Sequence, residues 1–261
     1  MKNFLIAFVI SFLFISSVSA GTDGENSFSK KNSGQVKDCF ENINRATFKF
    51  NQVLDGAIFE PAAKIYRILP SQLRAGTSNA LDNLSTLVTI PNNILQGDFT
   101  KAGENTLRFV INSTLGIVGI FDVAQNIGLS EYEKEDYGQT LGTMGVSEGC
   151  YLVLPVLGPS TVRDTAGSFV NLLGGDAWYN VSVKNDTEHF EDVHYYSTRA
   201  ATGIDFRAKN IDSLDNLEKN SMDFYASVRS LYLQDRQQKI ANSDSITETQ
   251  DDSDWEEIET Q

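Results

Sequence analysis

The chain has 261 residues, 41% of them hydrophobic, a formal charge of −14 and only two cysteines. That balance speaks against nucleic acid as a partner and gives no overall attraction to anionic lipid. The charge is uneven: every residue that carries charge after Lys239 is acidic, from Asp244 to Glu259.

Residues 1–20 combine Lys2, an apolar run from Phe4 to Ile15 and small residues ending at Ala20. This pattern predicts a cleavable export signal. Residues 21–37, rich in Gly, Ser, Asn and Lys, predict a flexible leader. From Asp38, the residues Phe40, Ile43, Thr47, Phe50, Leu54 and Ala57 recur at helical steps opposite Glu41, Arg45, Lys49 and Gln52, with Asp38 as the expected cap. Phe48 stands off that stripe, facing lipid, a partner or a covering helix.

Pro61 suits the first turn of a helix to Leu69, which Pro70 ends; a further helix is predicted over 71–88, broken at Pro91, with Gly97 capping a last short turn. Over 99–115 the polar residues Lys101, Glu104, Asn105, Arg108 and Asn112 share one face and leave a broad apolar arc. Residues 107–159 hold two apolar runs broken by glycine and proline, each too short and too polar to span a bilayer as one helix. Such an element is either ordinary buried core or one that meets lipid while protein or a wet cavity satisfies its free backbone groups.

The charged stretch 124–137 predicts a solvated loop. Helical spacing resumes over 160–173 with Ser160 as cap and Gly174–Gly175 as stop, and returns over 188–209 and 214–236. Strand signals are sparse, so the expected fold is all-α: a single domain of amphipathic helices over 38–240, followed by a disordered acidic tail at 241–261. Cys39 and Cys150 leave two readings open, a disulfide or two separate buried thiols.

Catalytic signatures do not emerge. His189 and His194 are five residues apart, which does not place two metal ligands on one helical face, and no nucleophile elbow, P-loop or Cys-x-x-Cys occurs. The sequence therefore predicts no enzyme, no cofactor and no metal site.

The blocks FENINRATFKFNQVLD, RFVINSTLGIVGIFDVA, YGQTLGTMGV and GCYLVLPVLGPSTVRD run in one order and resemble the VacJ/MlaA family, outer-membrane components of bacterial phospholipid trafficking. The resemblance extends from about Asp38 to about Arg236. It implies a ring- or wedge-like helical body in the inner leaflet of the outer membrane with an amphipathic passage. Phospholipid misplaced in the outer leaflet would pass through it to a periplasmic carrier, with a trimeric porin as scaffold. In that family the region matching 124–137 lies beside the lipid passage. The residues implied at the channel or at membrane contact are Asn44, Arg45, Phe109, Asn112, Gly116, Gly119, Phe121, Gly138, Gly142 and Pro155. Two departures stand out: Cys150 occupies a position where the family usually has proline, and Ala20 is followed by Gly21–Thr22 instead of the cysteine that carries a lipid anchor. The expectation is attachment through apolar surface or a partner. The rival reading is an interaction protein that binds another protein through the same amphipathic helices.

Overall fold

A computed structural model describes residues 36–184 and 190–241. The expected signal at 1–20, all of the leader except Val36 and Lys37, His189, and all of the tail except Ala241 lie outside the described residues. Val36 and Lys37 do not behave as leader. Val36 is buried with Tyr151, Val153 and Tyr225, and the Lys37 carbonyl accepts a hydrogen bond from the Tyr151 amide.

The described helices are α1 (Glu41–Leu54), α2 (Glu60–Arg67), α3 (Ser71–Gln96), α4 (Phe99–Thr114), α5 (Val123–Asn126), α6 (Tyr137–Thr143), α7 (Val162–Val170), α8 (Ala177–Tyr179), α9 (Asp192–Asn220) and α10 (Phe224–Ile240). The all-α expectation holds, with one departure. Strands β1 (Tyr151–Leu154) and β2 (Gly158–Thr161) form an antiparallel hairpin in the register Tyr151 with Thr161 and Leu154 with Gly158. In sequence, Leu152 to Leu157 is a short apolar run. Its fine pattern is alternation, since Tyr151 and Val153 point into the core while Leu152 and Leu154 stay half-buried.

Helix α1 is not capped by Asp38. Phe40 occupies the cap position, while Asp38 accepts hydrogen bonds from the Asn44 amide at 2.7 Å and from the Tyr225 hydroxyl. The helix then continues through a π turn (Asp55–Phe59) into α2, so Pro61 sits in a first turn that is joined to its predecessor. Phe48 is covered by α10, stacking edge-on against Phe224 and Tyr225 at 5.4 and 5.5 Å.

Pro91 does not break α3, which runs 26 residues to a left-handed Gly97 (φ 81°). Proline removes one backbone bond, a loss that tertiary contacts can offset. Here Asn92 donates to the Val88 carbonyl and accepts from Thr140, and Asn93 accepts from Asn105, so buried amides hold both sides of the proline. Two other boundaries also move. Thr161, not Ser160, caps α7 by accepting from the Asp164 amide, and α9 continues well past Lys209 to Asn220.

Asn44 and Asn51 lie seven residues apart on one face of α1, two helical turns. Asn44 donates to the Tyr151 carbonyl at 3.0 Å and accepts from the Val153 amide at 2.9 Å; Asn51 does the same for Leu154 and Val156 at 2.9 and 2.8 Å. These two side-chain amides occupy the free edge of β1 as a neighbouring strand would. Asn44→Ala should cost about 1–3 kcal/mol, because it strands two buried backbone groups. Asn51→Ala should cost less, since its bonds are nearer solvent. Urea denaturation of the two variants checks the order.

Cys39 and Cys150 form a disulfide with Cα atoms 5.6 Å apart, closing a sequence separation of 111 residues beside the Val36–Tyr151–Tyr225 cluster.

Candidate functional site

Polarity is inverted relative to a water-soluble helical protein. Among the described residues 22 polar or charged side chains are buried against 12 hydrophobic ones, and 35 large hydrophobic side chains are exposed. Helix α4 shows this most plainly: Asn105, Arg108 and Asn112 face inward while Leu107 and Val110 face out. The polar stripe visible in the sequence is thus the inner face.

Two clusters match most of their buried polar groups to one another. Arg108 makes a two-pronged contact with Asp122 at 3.0 and 2.9 Å and also donates to the Ser130 carbonyl. Asn112 donates to Asp122 and accepts from the Ala124 amide. Asp122 in turn caps α5. A second cluster centres on Arg236, which donates to Asp136 at 2.7 and 2.9 Å and to Asp164 at 3.0 Å. Burial alone would raise both carboxyls. The guanidinium outweighs it and holds each below the usual carboxylate range, with Tyr232 and Arg163 adding bonds to Asp164.

A cavity of about 180 Å³ opens inside this polar framework. Helix α3 supplies Leu81, Leu84, Ser85 and Val88, the 129–136 connection supplies Lys134, Glu135 and Asp136, α8 and the turn before it supply Asn171, Asp176 and Trp178, and α9 supplies Thr198, Arg199 and Thr202. Apolar and charged groups therefore line one space. Asp176 is almost fully buried and fully used: it caps α8 through the Trp178 and Tyr179 amides and accepts from Arg199 at 2.6 Å and from Tyr195. Burial pushes the Glu135 carboxyl up against the opposing hydrogen bond from Gln96. Burial likewise pushes the Lys134 ammonium down, with Arg199 adding to the effect, although the residue keeps contact with solvent. Such a combination marks a group inside a wet recess.

A second cavity of about 190 Å³, lined by Tyr66, Ser71, Arg74, Ser78, Asp205 and Lys209 among others, lies along the same α3–α9 pair. Ser78 and Tyr66 donate to Asp205, and Lys209 pairs with it at 2.9 Å.

None of the ten site residues expected from sequence lines either cavity. Gly116, Gly119 and Phe121 form the turn after α4, with Asn112 at its base. Phe109, half-buried, lies one turn before Asn112 on α4. Gly119 has φ 89° and a Cβ there would fall 2.5 Å from Asn83. Two β-branched residues of that turn, Ile117 and Val118, also hold positive φ (52° and 57°), a conformation that costs such side chains energy. Gly138 and Gly142 lie in α6, where Gly167 of α7 comes so close that a Cβ on it would stand 2.4 Å from the Gly138 nitrogen. Asn44 and Arg45 join α1 to the hairpin and to Asp223, and Pro155 is exposed at the hairpin tip.

A family model described as MlaA lipoprotein matches residues 36–239. The chain belongs to the MlaA lipoprotein family. The Escherichia coli protein named intermembrane phospholipid transport system lipoprotein MlaA is 34% identical over 242 residues, covering 90% of this chain and 86% of the relative. An uncharacterized protein of Rickettsia bellii is 35% identical over 208 residues, covering 79% and 78%. A solved chain from work on the structural basis for maintenance of bacterial outer membrane lipid asymmetry superposes with a TM-score of 0.68 at 33% identity, covering 78% of this chain and 99% of that one. This agreement extends the MlaA fold over nearly all the described residues. None of the helices among them is long and apolar enough to cross a membrane, and none of their His, Cys, Asp and Glu side chains cluster as a metal site.

Proposed function

We propose that this chain moves phospholipid between membranes without chemistry, taking lipid misplaced in the outer leaflet of the outer membrane through an amphipathic passage and passing it to a periplasmic carrier, so that lipid asymmetry is kept. The inverted polarity carries the reading. An exposed apolar surface this extensive is costly in water and points to a membrane or a partner, while polar groups at membrane depth are tolerated where they face a protein interior or a wet cavity. The names of the Escherichia coli and Haemophilus influenzae relatives support the same substrate.

In this reading the body sits in the inner leaflet, exported and facing the periplasm, with a trimeric porin beside it. Phe109, Phe121 and Pro155 meet lipid. Asn44, Arg45, Asn112, Gly116, Gly119, Gly138 and Gly142 hold the walls. The cavity between α3 and α9 carries the headgroup while acyl chains stay in lipid, avoiding about 0.8 kcal/mol for each methylene exposed to water.

A strain lacking the gene should accumulate phospholipid in the outer leaflet, and this chain should restore asymmetry; unchanged accumulation on complementation would defeat the proposal. Val110→Asp with Val118→Asp, two exposed apolar positions, should weaken membrane attachment by about 3 kcal/mol each and shift the protein to the soluble fraction. A protein that leaves membranes in high-salt washing without lipid would instead be the interaction protein.

A further inference from the structure

The cavity beside Arg74 shares no lining residue with the one that holds Lys134 and Trp178. Its acid is spent. Asp205, the sole acidic residue of the lining, is buried and accepts from Ser78 at 2.8 and 2.9 Å, from Tyr66 at 3.0 Å and from Lys209 at 2.9 Å, which leaves no free carboxylate for a cation. Its bases are not spent. Arg74, half-buried, uses Nε on the Leu69 carbonyl at 3.2 Å, and among the described residues neither of its Nη groups has a partner. Lys209, more than half exposed, gives one bond to Asp205 and keeps donors to spare.

Two positive charges against one negative, lining one space with donors left over on both bases, suit an anion with several oxygens. A guanidinium fork fits a phosphate in two prongs. The cavity, about 190 Å³, has room for one, since a water takes roughly 30 Å³ in the liquid.

The surroundings say where that phosphate comes from. Ile65, Ile68, Leu69 and Leu73, just before the cavity and at its edge in sequence, are all exposed. The exposed apolar turn after α4 packs on the same end of α3: Asn79 donates to the Ile120 carbonyl at 3.1 Å, and a Cβ on Gly76 would stand 3.0 Å from the Ile120 side chain. A charged recess within an apolar surface of this kind matches a headgroup whose chains lie alongside in lipid.

We propose that Arg74 and Lys209 hold the phosphate of an anionic phospholipid, a resident of the leaflet and not the molecule transported. This rests on the membrane seating of the reading above and needs no lipid to travel. It gives a chain of net acidic charge a local grip on anionic lipid.

The test titrates the full chain in nonionic detergent with short-chain phosphatidic acid, diacylglycerol of equal chain length and inorganic phosphate, read by calorimetry and by amide exchange. Phosphatidic acid should bind about tenfold more tightly than either of the others and slow exchange in Ser71–Ala75. Arg74→Gln and Lys209→Gln should each weaken it by about tenfold, the loss of a hydrogen bond to a charged group. Asp205 keeps Ser78 and Tyr66 in Lys209→Gln, so that variant should retain the wild-type melting temperature.

Unchanged affinity in Lys209→Gln, or diacylglycerol binding as tightly as phosphatidic acid, overturns the assignment. Inorganic phosphate competing as strongly as the lipid makes this a free-anion site and also overturns it. Protection that appears at Ser85–Val88 instead of Ser71–Ala75 overturns this site while leaving the passage standing; absence of binding by both lipids removes the two together.

Discussion

Replacing Arg236 with methionine should lower stability by about 3–5 kcal/mol, because it leaves two enclosed carboxylates facing each other without their shared cation. Arg236 is buried and bridges Asp136, the cap of α6, to Asp164 in the first turn of α7. Arg163 still touches Asp164 after the change, so Asp136 bears most of the loss. In the wild type both carboxyls are depressed. Their contribution is therefore complete above the unfolded carboxylate value of about 3.9 and fades as pH falls through the lower folded values. In the variant the abandoned carboxylates are driven upward and take protons more readily. The deficit should be largest near pH 7 and should narrow towards pH 4. A deficit that stays constant with pH would show that Arg236 acts through packing alone.

Removing the Cys39–Cys150 link by Cys39→Ser with Cys150→Ser should cost about 4 kcal/mol, given the long loop it closes. The bond secures the first described residues to β1 beside Val36, whose neighbours Tyr151 and Tyr225 carry much of the small apolar core. Amide exchange should rise at Val36–Cys39 and Tyr151–Val153 and stay slow in α3. Equal urea midpoints for oxidised and reduced protein would contradict this.

Helix order and the all-α class were legible because 3.6-residue periodicity survives whichever way a helix faces. The direction of facing was less so. In α4 the stripe of Asn105, Arg108 and Asn112 reads as solvent-facing by the usual rule, and only the packed structure shows it turned inward. Pro91 misled for a related reason: the Asn92 and Asn93 side chains beside it are held by the Thr140 hydroxyl and the Asn105 amide, which lie outside α3. The hairpin escaped notice because its strands are only four residues long, too short for the alternation in β1 to stand out from an apolar run.

The cavity was legible only in fragments. Leu81, Leu84, Ser85 and Val88 follow helical spacing, but nothing in their neighbourhood says that α9 stands off from them. Lys134, the lone base in a run of acids, was the available signal. The charged stretch around it reads as a surface loop, yet Glu135 is buried and Asp136 is locked to Arg236, 100 residues away.

The amide rungs that Asn44 and Asn51 set against β1 have a consequence for the protein's life among other copies of itself. A bare strand edge is a template on which further chains can add, as in cross-β fibrils. Here a helix has taken that position with side chains instead of backbone, so the edge offers no free row of donors and acceptors. On the β1 side the hairpin thus offers no template for its own polymerisation.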